Sequence, residues 1–306
     1  MSENILKKGN RYKIIIHIFF VIFCVCFIIP MLMVVSISFS SESSINSGFS
    51  LLPKEFSVNA YKLAFRNPES ILNGYVVTIA QSVLGTVGCL VVMGLVAYPM
   101  SRRSFAYRTA ITWYVFATML FGAGQIPTYI IFSQWYHLKN SFWVYVIPGL
   151  AGGAWNTLMI RTFFYSIPES LFESAKIDGA RELTIFFKIA LPLSTPVFAS
   201  LGFMILVGKW NDWMTSSIYI TNEKLYTLHW LLQRILSEAA YLNELRQAMT
   251  NNGAQFSTIQ IDTEGAMPEM TLRYAMCILA AGPMLAVFPF FQKYFSKGIV
   301  VGAVKG

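Results

Sequence analysis

Glu173, Ser174, Ala175, Gly179, Ile189, Ala190, Leu191 and Pro192 stand at fixed separations within the interval IPESLFESAKIDGARELTIFFKIALPLSTP, residues 167–196. Three residues separate Ala175 from Gly179, and nine separate Gly179 from Ile189. The chemistry open to such a set is recognition, not bond making. Glu169 and Glu173 are four apart on one helical face, where like charges mildly destabilise an isolated helix and a basic partner surface would relieve them. Pro168 suits the first turn of a helix and Glu169 favours the positive end of its dipole, so a helix is expected from about Pro168 to Ile177. Gly179 permits positive φ, so a second helix can start at Ala180, with Leu183, Phe186, Phe187 and Ala190 as its apolar face and Leu191-Pro192 as its end. Asp178 and Ala180 flank the turn. Together the two helices make a rigid knob. A plainer alternative is a helical connector in which Lys176 or Arg181 neutralises the glutamates; the complete spacing favours docking.

Bond-making chemistry has less to stand on. His17, His137 and His229 fall in separate regions without suitably spaced partners, so no catalytic set emerges. The stretch from Gly202 to Gly208-Lys209-Trp210 imitates a phosphate loop, but it has five intervening residues where four are needed and ends in Trp. Cys24, Cys26, Cys89 and Cys277 all lie within apolar runs, without metal-ligand spacing. No catalytic residue, no metal ligand and no cofactor bound by this chain are expected.

The elements that must position the knob are apolar. Of 306 residues 55% are hydrophobic and 12% charged, with a mean hydropathy of +0.54, which describes an all-α polytopic membrane protein. A bilayer core needs roughly 20 apolar residues per helix. Six stretches qualify: 14–38, 72–100, 110–135, 142–164, 197–220 and 272–291. The first follows Lys7, Lys8, Arg11 and Lys13; its length favours a retained helix over a cleaved signal, despite the small-x-small triplet Ser36-Ile37-Ser38. The net charge of +8 does not form a nucleic-acid patch, because the basic residues bracket the apolar spans.

Arg102, Arg103 and Arg108 follow the second stretch, and Lys293, Lys297 and Lys305 follow the sixth. With the basic N-terminus (1–13), the polar interval 165–192 and the tail 292–306, every basic connector falls on one side, which the positive-inside rule makes cytoplasmic, both termini included. The other side holds 41–70, a short link from His137 to Ser141, and 221–271. From Glu223 to Glu269 the latter carries Lys224, Arg234 and Arg246 against Glu223, Glu238, Glu244, Asp262, Glu264 and Glu269, a net charge of −3. Leu225, Leu228, Leu232, Ile235, Ala239, Leu242 and Met249 recur at three- and four-residue steps, predicting an amphipathic helix that Asn251-Asn252-Gly253 ends. It serves as a lid on its own protein, as a docking surface for a ligand-delivery protein, or as both.

A polar solute crossing such a bundle needs hydrogen-bonding groups and flat aromatic faces. Asn73, Tyr75, Gln81, Gln125, Tyr129, Trp155, Asn156, Trp210, Asn211 and Asp212 are the candidates. Each has a bland alternative: Asn and Gln bond neighbouring helices, and Trp and Tyr form interfacial belts. Asp212 differs in kind, since an acid at the end of a span demands water or a partner. Pro127, Pro148 and Pro283 interrupt helical stretches and are expected to kink them.

The spacing from Glu173 to Pro192 resembles the EAA loop of ATP-binding-cassette (ABC) importer permeases. The likeness extends over nearly the whole chain, through Asn156-Thr157-Leu158-Met159-Ile160-Arg161-Thr162-Phe163-Phe164, Ala97-Tyr98-Pro99-Met100-Ser101-Arg102, Ile126-Pro127, Trp210-Asn211-Asp212 and the tail from Phe291-Gln292-Lys293-Tyr294-Phe295 to Gly302-Ala303-Val304-Lys305-Gly306. The chain resembles carbohydrate-uptake permeases of the maltose-permease type, in particular the second, six-helix subunit, and is similar to those assigned to complex oligosaccharides. Ser174 departs from the family, which often has alanine there. The resemblance implies a type I importer permease fold with six transmembrane helices, a permease core over 72–291, and a cytoplasmic coupling helix-turn-helix. It implies a plasma-membrane location in a prokaryote and docking of nucleotide-binding subunits through Glu169, Glu173, Ser174, Ala175, Asp178, Gly179, Ala180, Leu191 and Pro192. The implied partners are a second permease, two ATPase subunits that hold ATP and Mg, an extracytoplasmic solute-binding protein and an oligosaccharide, within membrane lipid and without nucleic acid.

Two other classes compete. An ion-coupled secondary transporter should show paired mid-membrane ionisable groups and often an inverted repeat, neither of which is visible. A non-transport scaffold or sensor is discriminated by ATPase activity that rises with a solute-binding protein.

Overall fold

The computed structural model describes residues 2–46, 48, 50–251 and 268–303. Apart from an isolated bridge between Ser40 and Phe56, the described residues are helices and their connections. The chain divides into two compact units, Met1–Pro68 with Leu232–Gly282, and Glu69–Leu231 with Pro283–Gly306.

In the first unit α1 runs Ser2–Ser38 and its apolar part, Lys13–Ser38, is long enough to cross a bilayer. None of its most apolar window is buried, as suits a helix whose surroundings are lipid or another chain. Its end is tied down: Tyr61 on α3 (Asn59–Ala64) donates to Ser38 Oγ at 3.0 Å, and Phe39 stacks on Phe56 and Tyr61. Glu42, on the one-turn α2 (Glu42–Asn46), accepts hydrogen bonds from Met270 N, Thr271 N and Thr271 Oγ1 at 2.9–3.0 Å. A carboxylate from a distant segment thus caps the opening turn of the last helix, where unpaired N–H groups and the dipole favour negative charge.

The second unit is built on α4 (Pro68–Ser101), a continuous apolar helix. Towards its C-terminal end Met93, Ala97 and Tyr98 join Ile160, Phe164, Phe172, Ile185, Phe186, Ala190 and Phe198 in one buried core. Towards its start Val77 packs with Leu138, Val144, Tyr145, Val146, Tyr219 and Ile220 in another. Both cores therefore hang from one helix.

The six apolar stretches do not all become unbroken helices. The third is α5 (Arg108–Leu120) and α6 (Gln125–Ile130), the latter continued by a π-helical turn to Trp135, with a 113° bend at Gly124, φ +81°. Pro127 lies in the first turn of α6, where its missing N–H is harmless, so the glycine and not the proline makes the break. The fourth stretch is not one continuous helix. It consists of 3₁₀ turns at Phe142–Tyr145 and Ile147–Gly149 followed by α7 (Ala154–Tyr165). Pro148 sits in the second turn, and Gly152, φ +65°, leaves room for Met93: an added Cβ would lie 2.4 Å from Met93 Cγ.

Next come α8 (Glu169–Ile177), α9 (Glu182–Ile185) with a π-helical continuation to Ala190, and the single turn α10 (Leu191–Leu193). This run meets α11 (Thr195–Trp210) at 79°, and α12 (Met214–Tyr219) follows a break. The run thus ends at Leu193, one residue beyond the expected Leu191-Pro192 stop. Among the described residues three helices are long and apolar enough to span a membrane, or up to five if each bent pair is one span.

The amphipathic helix expected within 221–271 is present as α13 (Leu228–Asn251), with Leu228, Leu232 and Ala239 buried; Leu225 precedes it in a 3₁₀ turn. Its expected stop at Asn252-Gly253 lies outside the described residues. The last helix, α14 (Glu269–Ala303), passes through Pro283 and Pro289 without a break. Lys305 and the end of the tail lie outside the described residues.

Candidate functional site

The polar interval folds as an elbow of two limbs, α8 and α9. Pro168, the expected first residue, instead caps α8 with φ −55° and ψ 131°, so the helix starts one residue later, at Glu169. Gly179, φ +79°, ends it: Gly179 N donates to Lys176 O and Ala180 N to Ala175 O, at 3.0 and 2.9 Å. This is the Schellman closure, in which a left-handed residue lets two otherwise orphaned carbonyls be satisfied. The second limb starts at Glu182, with Arg181 as its cap, not at Ala180. Its buried face also differs from the expected one. Ile185, Phe186 and Ala190 are buried, whereas Leu183 and Phe187 are 63% and 51% exposed.

Phe172, 1% exposed, and Ala175 turn inward, and Tyr98 packs between the limbs, 6.3 Å from the Phe172 ring and 5.4 Å from the Phe186 ring. The outward surface carries Glu173, Ser174, Asp178, Gly179, Leu171 and Ile177, the last 87% exposed. Glu169 and Pro192 are exposed, Ala180 and Leu191 partly buried. Sequence reading placed Ala175 among the docking residues, and the structure puts it in the core. It did not single out the exposed Ile177, and it put the exposed Leu183 on the apolar face of the second helix. Helical phase could have found Ile177, which lies five positions from Phe172 and so off the buried face.

Three of the elbow's charged side chains, Glu169, Lys176 and Glu182, are met within the chain. Arg102 Nη2 reaches Glu169 Oε1 at 2.6 Å, and its guanidinium lies 3.7 Å above the Phe172 ring. Lys176 pairs at 2.7 Å with Glu182, which also accepts from Tyr98 Oη at 2.8 Å. Lys176 therefore relieves neither Glu169 nor Glu173, and Arg102 is the cation that relieves Glu169. Glu173 is exposed, with no ion pair among the described residues.

The solute-path candidates fall into separate places. Asn73, Tyr75 and Gln81 lie on α4, Gln125 and Tyr129 on α6, Trp155 and Asn156 on α7, and Trp210, Asn211 and Asp212 at the break after α11. Gln81 is fully buried and its Nε2 donates to Lys209 O at 2.6 Å, which gives it a structural tie. Gln125 approaches Met214 Sδ at 3.5 Å, and the Tyr129 and Tyr219 rings are 5.4 Å apart, so α6 and α12 are brought together. Trp155 is exposed and Trp210 buried. Asp212 has its partner: it accepts from Thr215 N at 3.0 Å and Thr215 Oγ1 at 2.7 Å, capping α12. Nearby, Tyr145, Ser216 and Thr227 share a buried hydroxyl chain at 2.6–2.8 Å. Buried chains of this kind fix the geometry of a break that apolar packing alone would leave loose.

The look-alike phosphate loop from Gly202 to Lys209 is helical within α11, and Lys209 Nζ donates to Tyr145 O at 2.6 Å. A cavity of about 780 Å³ lies between α4, α11 and α14, and Trp210 is the one solute-path candidate on its walls. Those walls are apolar but for Ser82, Thr86 and Thr195, so the cavity suits hydrocarbon better than a polar solute. On α13, burial pushes the His229 imidazole below the ordinary histidine value, opposed by a backbone hydrogen bond with Trp210.

Comparison with known proteins adds family to geometry. A family model described as binding-protein-dependent transport system inner membrane component matches residues 7–301. The polygalacturonan/rhamnogalacturonan transport system permease protein YtcP of Bacillus subtilis (strain 168) is 33% identical over 98% of this chain and 100% of that protein. Protein LplC of the same organism is 35% identical, covering 91% of this chain and 90% of LplC. Among solved structures, one of a bacterial ABC transporter involved in the import of the acidic polysaccharide alginate superposes with a TM-score of 0.73. It is 26% identical and covers 94% of this chain and 97% of its own.

Proposed function

The chain belongs to the binding-protein-dependent transport system inner membrane components, the permease subunits of ABC importers, and from that membership we propose that it carries an oligosaccharide inward by alternating access. The oligosaccharide class follows from relatives named for polygalacturonan/rhamnogalacturonan and galactooligosaccharides, and from the alginate importer. Its partners are a second permease subunit in a heterodimer, two ATPase subunits that hold ATP and Mg, and an extracytoplasmic solute-binding protein. Both termini and the elbow face the cytoplasm, and 41–70 and 221–271 face outward. The basic residues that follow α4, Arg102, Arg103 and Arg108, support that orientation, Arg102 through its ion pair with the elbow's Glu169.

The elbow carries the reading. It is stopped by the Gly179 closure, anchored by Phe172, and left with Glu173, Ser174, Ile177 and Asp178 outward. An exposed isoleucine with Asp178 beside it and Glu173 one turn earlier fits a partner pocket with an apolar floor and basic groups at its rim. ATP closes the nucleotide-binding subunits, which carry the elbow inward and turn the permease from inward-facing to outward-facing. ATP and the loaded binding protein drive this only by preferring one conformation over the other. ATPase activity of the assembled complex, screened with its binding protein against an oligosaccharide panel, tests the cargo class. Stimulation by a glycan is the expected result, and an unresponsive complex in all cases refutes it. Glu173→Arg is expected to release the ATPase subunits; full transport in an assembled Glu173→Arg complex refutes the docking role.

A further inference from the structure

Resting on the docking role of the elbow, we infer that Tyr98 and Arg102 are positioning residues forming a clasp that delivers the elbow's movement to α4. A docked surface moves a bundle only if the load reaches a span. Here the polar ties of both limbs run to the same helix end. Arg102, its side chain 7% exposed, holds α8 twice, by its ion pair with Glu169 and by its stack on Phe172. Tyr98, one turn earlier on the same face, holds the second limb through Glu182, and Glu182 in turn holds Lys176 of the first. Arg161 Nε also donates to Met100 O at 3.1 Å, fastening α7 to the same turn.

Each limb is thus fixed separately to α4, and a rotation of the elbow cannot be taken up at Gly179 without breaking one of the ties. Apolar contacts alone would let the limbs slide, whereas directional, charge-assisted hydrogen bonds set their azimuth. From this end α4 continues unbroken to Gln81, bonded to Lys209 O on α11, and to Thr78 Oγ1, which accepts from Leu228 N at 2.8 Å. The helix is a rod with the clasp at one end and the start of α13 near the other.

The test uses the assembled complex, with the four native cysteines replaced and a bimane fluorophore on a cysteine at Val83 of α4, read before and after Mg-ATP with vanadate. Tyr98→Phe and Arg102→Gln are expected to keep the ATPase subunits bound and hydrolysis within about twofold, while the nucleotide-driven bimane change falls at least about fivefold. Arg102→Lys should restore part of it. Adding Glu182→Gln to Tyr98→Phe should cost less than the two single changes summed, since both remove the Tyr98–Glu182 tie and only Glu182→Gln also removes the ion pair with Lys176. A bimane change within about twofold of the parent in both single variants overturns the clasp. So does release of the ATPase subunits by Tyr98→Phe, which would make the residue a support of the docking surface. A parent complex that binds no ATPase subunit would instead refute the docking reading.

Discussion

Tyr98 Oη donates to Glu182 Oε2 at 2.8 Å, joining the end of the long helix α4 to the second limb of the elbow across 84 residues of chain. The same carboxyl group takes Lys176 from the first limb. One glutamate outside the recognisable spacing therefore closes the elbow and anchors it, and the consequences can be measured.

Ile177→Glu should separate folding from docking. The side chain is 87% exposed and packs on nothing that its loss would leave as a cavity, so stability should change by no more than about 0.5 kcal/mol. Co-purification of the ATPase subunits should fall about tenfold or more. Full recovery of those subunits with Ile177→Glu would remove Ile177 from the interface.

Gly179→Ala should act through the backbone. No atom lies within 4 Å of an added Cβ, but φ is +79°, so the strain of a left-handed alanine, about 1–2 kcal/mol, is expected without any clash. Thermal unfolding of the purified complex measures it. Gly179→Asn, which tolerates that region better, should lose less, and equal losses for the two would assign the effect to something other than φ.

Phe172→Ala empties the centre of the elbow. A phenylalanine 1% exposed beneath the Arg102 guanidinium should cost about 3–5 kcal/mol when truncated, and should loosen α8 on α4. Faster proteolysis within 167–181 is the expected sign, and an unchanged digestion pattern would contradict the packing.

Asp212→Ala should remove the cap of α12 and destabilise by about 0.5–2 kcal/mol, whereas Asp212→Asn, whose Oδ1 still accepts from Thr215 N while its Nδ2 can only donate to Thr215 Oγ1, should lose a fraction of that. Equal transport defects in the two, at unchanged melting temperature, would return Asp212 to a role in the solute path.

His229 sets a pH dependence whose sign follows from burial. Its folded pKa lies below the ordinary 6.5, so below that pH the unfolded chain takes up a proton that the folded chain resists. Stability should be level above about pH 7 and fall as pH drops through 6.5 towards the lower folded value. His229→Gln should flatten that fall in a melting series, and an unaltered slope would show that other groups titrate.

Composition and spacing by themselves determined the class and the elbow. Apolar runs near bilayer length, the basic connectors and the Glu173-to-Pro192 spacing are local properties, readable because helical period, hydropathy and a glycine's freedom at φ +79° need no partner. The same local reading placed α13 from its three- and four-residue steps and found Leu228, Leu232 and Ala239 on its buried face. Tertiary structure decided which helices stay straight, because Gly124 and Gly152 break spans that hydropathy shows as continuous, and Gly152 does so where Met93 needs its space. It also decided the polar partners. Arg102 and Glu169 lie 67 residues apart and Tyr98 and Glu182 lie 84 apart, with no periodicity linking either pair. Likewise Gln81, a solute-path candidate by residue type, becomes a tie to Lys209 O only when α4 and α11 pack together. A side chain's type states what it can bond. Which bond it makes depends on the neighbour that folding brings within about 3 Å, and in a low-dielectric interior that choice is energetically compulsory.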